Sequence, residues 1–352
     1  MDIDFLSIFN SLNALLILAS NYMMYFLDIF SRGRVIKMNP KFSGHETFPL
    51  RYGWLYKSAK YLIENNKLSA SSPEDAQRAI VELGVGKNMV SAIRYWAESC
   101  SVIETSTNSD QSVSDIGQYL LVEEGNLLTP SCSAQDPYLE RIGSIWLVHF
   151  LLNFNENELT SYRYFFNFSA MQNFEKEKLL LDIINDVNGL CGKEVKPVTL
   201  KKDVDCFLYA YSKKSSTSVK AKSINEDHFT SPLSELGLVK DLGKGYYSSL
   251  LDERTSLPTE IFVYALLRFL TQSKMSDTSG FDSILSDQSS PGKIFRLSEK
   301  GLGIHLGDAV DMFPEIFAIT DTQGMRQIRL LQQFDEHENF HHILDEYYGT
   351  KK

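Results

Sequence analysis

The sequence predicts a mainly α, α+β fold: two winged-helix-like units with short β-hairpins flank a buried helical middle region. Three observations carry this reading. Capped amphipathic segments joined by a glycine turn run from Ser72 to Ser99, the pattern of a helix-turn-helix. Nearly continuous apolar runs, Ile145–Leu152 and Tyr162–Phe168, occupy the centre, as in helices buried on most faces. From Ser231 to Leu250 a short capped helix and a glycine-turned hairpin repeat the logic of the first region, in pattern and not in sequence. The expected divisions are a hydrophobic extension (1–37), a first winged unit (38–125), a helical middle (126–192), and a second winged unit with the C-terminal region (193–352). A chain of 352 residues, 43% hydrophobic, has room for roughly two or three such cores.

The extension has no charge from Phe5 to Leu27, with Arg32, Arg34 and Lys37 following. It reads either as a membrane span with its basic end in the cytoplasm or as an over-extended start preceding Met38. Asn10, Asn13 and Asn21 inside the stretch and the missing basic n-region favour the second reading. Next, Lys41–Trp54 packs His45, Glu46, Arg51, four aromatics and two glycines into fourteen residues. Such a mixture is unusual for plain core, where charged groups are seldom buried unless paired. In Ser72-Pro73-Glu74-Asp75 a capping hydroxyl, a first-turn proline and two acids start a helix that Gly84 ends at Leu83. A second helix is expected over about Asn88–Ser99, with Met89, Ile93 and Trp96 on one face. Extended Ser101–Glu104, the polar tip Thr105–Ser112 and a helix over Asp115–Val122 complete the unit. Its second helix would present Lys87, Asn88, Ser91, Arg94 and Tyr95 around its exposed side, a set suited to the major groove.

In the middle region His149 lies inside an apolar run and reads as a satisfied core histidine. Beyond it come a helix around Thr199–Tyr211, an exposed lysine- and serine-rich loop over Ser212–Ser223, and the short helix Ser231–Gly237. A hairpin turning at Gly243-Lys244-Gly245 follows, then an amphipathic helix over Pro258–Thr271. The tail adds helices near Glu299–Asp311 and over Met325–Phe334.

The formal charge of −10 argues against wholesale polyanion binding, so any nucleic-acid contact needs a local basic face. Two zones offer one. Residues 38–60 hold Lys41, Arg51, Lys57 and Lys60 against Glu46, and 193–222 hold eight lysines, Lys201 and Lys202 among them, against Glu194, Asp203 and Asp205. Cys100, Cys132, Cys191 and Cys206 have neither zinc-site nor disulfide spacing and read as reduced, buried thiols. Gly84-Val-Gly-Lys87 is no phosphate loop: Val81 stands where the first glycine is needed, and Asn88 follows the lysine, so no nucleotide cofactor is expected. His337-Glu338-Asn-Phe-His341 has zinc-peptidase spacing, yet too little chain follows it to supply a third ligand or enclose a dry site. Asp203 and Asp205 cannot share a metal from a helix, where residues two apart diverge; one pairing with Lys201 or Lys202 at the surface is the plainer expectation. His45 and Glu46 are the best titratable pair, but as neighbours they need partners from elsewhere. The plain alternative is a tight turn anchored by Phe42 and Phe48, with Glu46 paired to Arg51.

Phe42-Ser-Gly-His-Glu-Thr-Phe48 with Arg51, Trp54 and Lys57, then Leu83–Val90 with Ile93–Trp96, resemble one family. Asp136–Leu139, Trp146–Leu152, Lys202–Cys206 and Ser231–Leu238 extend the match in order, from about Lys41 to the C-terminus. This is the SspB-like family, a domain-of-unknown-function family of bacterial DNA phosphorothioation and phage-defence clusters. The resemblance implies a cytoplasmic protein working on DNA beside a cysteine desulfurase, an ATP-pyrophosphatase-like sulfur-transfer enzyme and an ATPase. It also implies a DNA-nicking endonuclease that opens the backbone to sulfur chemistry, which would use Mg or Mn. The family pattern fixes no catalytic positions, so His45, Glu46 and Asp203 are catalytic candidates only, with the metal ligands unassigned. Lys41, Arg51, Lys57, Lys87, Asn88, Arg94, Tyr95, Lys201 and Lys202 are the candidate DNA contacts. A non-catalytic winged-helix adapter recruiting the sulfur-transfer enzymes, or a transcriptional regulator, are the alternatives.

Overall fold

The computed structural model describes residues 37–69, 72–106, 108–122, 134–212, 231–272, 277–322, 325–335 and 338–349. It is mainly helical with small sheets. The N-terminal extension lies outside these residues, as does most of the lysine-rich loop after Tyr211.

Strand β1 (Asn39–Pro40) leads into α1 (Trp54–Asn65), α2 (Pro73–Leu83) and α3 (Lys87–Ser99). The expected punctuation of α2 is present: the Ser72 hydroxyl accepts the Asp75 N–H at 3.0 Å, and Gly84 closes the helix at φ 65°. Along α3, Val90, Ile93, Trp96 and Ala97 are buried. Strands β2 (Ile103–Thr105) and β3 (Gln111–Val113) form an antiparallel hairpin, with Ile103 opposite Val113. Helix α4 (Asp115–Leu121) follows, its first turn capped by Ser114, whose Oγ accepts the Gly117 N–H at 3.0 Å. Gly117 is required by packing: a Cβ there would stand 2.5 Å from the Val102 carbonyl oxygen.

The central apolar runs become α5 (Ile142–Phe154) and α6 (Ser161–Asn167), buried along nearly their whole length. Between them β4 (Glu158–Leu159) pairs in parallel with β1 and ties the N-terminal segment to the middle. His149 is the core histidine expected. Its Nε2 donates to the Ile294 carbonyl and its Nδ1 accepts from the Tyr211 hydroxyl, both at 2.8 Å. Burial lowers its pKa to about 3, so the imidazole is neutral. Each large aromatic sealed into this core contributes about 1.5–3 kcal/mol, more than an exposed ion pair does.

Strand β5 (Asn173–Glu175), α7 (Lys176–Cys191) and α8 (Pro197–Tyr211) come next. A 3-10 turn (Pro232–Leu236) stopped by Gly237 precedes β6 (Lys240–Gly243) and β7 (Tyr246–Ser248). This second hairpin is part of a three-stranded sheet, because β5 pairs antiparallel with β7. Then follow α9 (Thr259–Gln272), β8 (Thr278–Gly280), α10 (Phe281–Ser286), α11 (Pro291–Ile294), α12 (Glu299–Met312), β9 (Phe317–Thr322), β10 (Met325–Leu330) and α13 (His341–Tyr348). The structure corrects one element here. Met325–Leu330 is a strand and not a helix, hydrogen-bonded to β9 on one side and β8 on the other. Ile328 is buried between exposed Arg326 and Arg329, and pairing on both edges outweighs the helical spacing of Met325, Ile328, Leu331 and Phe334.

The last helix closes the molecule. The Tyr347 hydroxyl accepts the Gly143 N–H at 3.0 Å, the Tyr348 and Ser144 hydroxyls meet at 2.8 Å, and Tyr119 donates to Asp345 at 2.8 Å. One buried hydrophobic cluster extends from Met38 to Tyr348. Among the described residues no helix is long and apolar enough to cross a membrane.

Candidate functional site

The Lys41–Trp54 segment is organised by a tight turn. The Phe48 N–H donates to the His45 carbonyl at 2.8 Å, and the central residues Glu46 and Thr47 sit at φ 49° and 68°. Two left-handed central residues are what a type I′ turn needs. The turn folds the Thr47 N–H back onto His45 Nδ1 at 3.0 Å, which places the ring proton on Nε2. That nitrogen faces Asp203 Oδ1 on α8 at 3.1 Å, a close polar contact too bent to be a straight hydrogen bond. The other carboxylate oxygen, Oδ2, accepts the Ser161 N–H at 2.7 Å. Both side chains are sealed, His45 at 3% and Asp203 at 1% exposure.

The walls of this pair are aromatic. The Tyr95 ring stands edge-on to His45 with centroids 5.3 Å apart, and its hydroxyl meets that of Tyr162 at 2.8 Å. Burial pushes both phenols well above the usual tyrosine range, and the neighbouring Asp203 charge adds to the shift. Gly44, at φ 111°, allows the approach, since a Cβ there would lie 2.9 Å from the Tyr95 ring. The Phe48 carbonyl accepts from the Trp96 indole N–H at 2.9 Å and the Cys206 thiol at 3.5 Å. So His45, Glu46 and Asp203 do not form one open site. His45 meets Asp203 inside the protein, and Glu46 is exposed on the outside of the turn. Arg51 lies over the rings of Phe48 and Trp54 at 5.6 and 5.4 Å, and forms no ion pair with Glu46 among the described residues.

The basic candidates divide by what already holds them. Lys41 is paired with Glu158 at 2.8 Å, Arg94 with Glu98 at 2.8 Å, and Lys57 donates to the Leu83 carbonyl at the end of α2 at 3.1 Å. Tyr95 is a correction: it is buried among His45, Trp96 and Tyr162 and does not lie on the exposed side of α3. Lys87 and Asn88 are exposed in the first turn of α3, and Lys201 and Lys202 are exposed on α8, immediately before the inward-facing Asp203. The expected surface pairing of the aspartates is also corrected. Asp203 faces His45, and Asp205 pairs with Lys176 at 3.1 Å.

Of the zinc-like spacing, His337 lies outside the described residues. Helix α13 begins only at His341, after Phe340 at φ 52°, and His341 stacks on Tyr119 at 4.3 Å. Burial lowers the His341 pKa. Among the described residues no three of His, Cys, Asp and Glu gather closely enough to hold a metal ion. What sequence reasoning missed was the set of partners around His45, namely Asp203, Ser161 and Tyr162. The one local signal was Gly44, whose missing side chain admits Tyr95.

A family model described as a protein of unknown function, DUF4007, matches residues 42–348. The chain belongs to the DUF4007 family. Two crystal structures of SspB share this fold. The magnesium ion-bound form aligns with a TM-score of 0.74 and 24% sequence identity, covering 90% of each chain. A second SspB structure aligns with the same TM-score of 0.74 at 23% identity, covering 90% of this chain and 91% of SspB. No curated protein matches the chain.

Proposed function

We propose that this DUF4007 protein is the DNA-binding component of a bacterial phosphorothioation-type defence system and acts in the cytoplasm. The order α2, α3, β2–β3 hairpin, α4 supports a winged-helix reading, with α3 as the helix that meets DNA. The observation that carries it is the first turn of α3. Lys87 and Asn88 are exposed there and, among the described residues, have no ion pair or side-chain hydrogen bond. Most other cations nearby are already paired. A free lysine at a helix N-terminus, where unpaired N–H groups also point outward, suits a backbone phosphate. Lys201 and Lys202 on α8 are the second candidate contact, and the half-committed Lys41, Arg51, Lys57 and Arg94 add only peripheral charge. The fold shared with SspB supports the setting, and with it the partners: a cysteine desulfurase, an ATP-pyrophosphatase-like enzyme and an ATPase. The second winged unit in this reading is the 3-10 turn, the β6–β7 hairpin and α9, within the division 38–125, 126–192 and 193–352.

Nicking is the second reading, favoured by the magnesium held by one SspB structure. Magnesium or manganese chemistry would need a carboxylate cluster. Glu46 and Asp203 do not provide one, because Asp203 is committed to His45 and Ser161.

The experiment is incubation of the purified full chain with supercoiled plasmid, with and without magnesium or manganese. Retarded plasmid that stays supercoiled supports the binding component. Metal-dependent relaxed circles support nicking, and no retardation under any condition contradicts both.

A further inference from the structure

The β6–β7 hairpin ends in Leu242-Gly243-Lys244-Gly245-Tyr246, and its tip has an unusual build. Gly243, Lys244 and Gly245 all have positive φ, at 86°, 54° and 83°. Nothing lies within 4 Å of a Cβ built on either glycine. Glycine is therefore required by the backbone and not by packing, and the apex is a single side chain wide. That side chain is Lys244, exposed, with Leu242 at 62% and Tyr246 at 50% exposure on its flanks.

The hairpin is firmly supported. Strand β5 pairs along β7, and the Lys176 N–H at the start of α7 donates to the Gly245 carbonyl at 2.9 Å. The two nearby acids are each engaged by a group of the hairpin itself, Glu175 remaining exposed. The Asp241 carboxylate accepts the Gly243 N–H at 2.7 Å, and the Glu175 carboxylate beside the Tyr246 phenol raises its pKa. Lys240 and Lys244 are exposed and, among the described residues, form no ion pair. A narrow cationic apex flanked by exposed apolar side chains on a rigid support has little use in water, and it matches the needs of one partner. The minor groove of duplex DNA is about 6 Å wide, strongly negative, and opened by apolar wedges that unstack a base step.

We infer that the β6–β7 tip is a minor-groove wedge, with Lys244 between the phosphate rows and Leu242 pressed against a base step to bend the duplex. This rests on the DNA-binding reading above. The test uses the full chain and an end-labelled duplex whose end-to-end distance is followed by energy transfer, alongside affinity by gel retardation. The wild-type protein is expected to shorten the end-to-end distance. Leu242→Ser should abolish the bend while changing affinity by less than about threefold, and Lys244→Glu should weaken binding about tenfold. Both sites are on the surface, and unchanged melting temperatures verify that the variants fold. A polyamide that fills the minor groove should displace the wild-type bend. If the wild type binds the duplex but both variants bend and bind as it does, the wedge is overturned while DNA binding stands. If the wild type fails to bind at all, the DNA-binding reading is what has failed.

Discussion

His45 and Asp203 decide how the most conspicuous segment of the sequence is understood. A histidine beside a carboxylate looks like acid–base machinery, yet here both are sealed behind Tyr95, with Asp203 also held by the Ser161 N–H. Their contact fastens the 41–54 turn to α8. Removing the imidazole leaves the buried Asp203 carboxylate without the Nε2–H that faces it, which costs about 1–3 kcal/mol. His45→Ala is therefore expected to lower unfolding stability by that order in urea titration. A variant as stable as wild type would show that the pair does no structural work. At this scale legibility was uneven. The core role of His149 could be read from its apolar neighbours, because a run buried on all faces leaves a histidine no solvent. The partner of His45 could not, because Asp203 is remote in sequence and its local context, flanked by lysines, suggested the surface.

Elements were most readable where their ends carry chemistry of their own. Ser72, Pro73 and Gly84 bound α2 because each satisfies or terminates backbone hydrogen bonds locally. The strands were least readable. Pairing is decided by partners, so Met325–Leu330, with strands on both sides, gave no local sign of its state. Strand β5 was likewise invisible until β7 lay beside it. Gly117 gives the element scale its test. A methyl group there would sit 2.5 Å from the Val102 carbonyl oxygen, so α4 and the β2–β3 hairpin could no longer approach. Gly117→Ala is expected to cost about 1–3 kcal/mol, despite alanine's better helix propensity. Thermal unfolding measures it, and a melting temperature at or above wild type would refute this packing.

For the whole molecule, a charge of −10 means that the proposed DNA contact would be confined to a small face, with the rest of the surface repelling a polyanion. The first turn of α3 is such a face, with Lys87 and Asn88 unoccupied while Lys41, Arg94 and Lys176 are already neutralised by carboxylates. The most direct measurement is the salt dependence of duplex-DNA affinity, by fluorescence anisotropy between about 50 and 200 mM salt, for wild type and Lys87→Ala. Contact between Lys87 and a phosphate predicts weaker binding by the variant and a log–log salt slope shallower by about one. Identical affinity and slope for the two proteins would contradict DNA recognition by this helix.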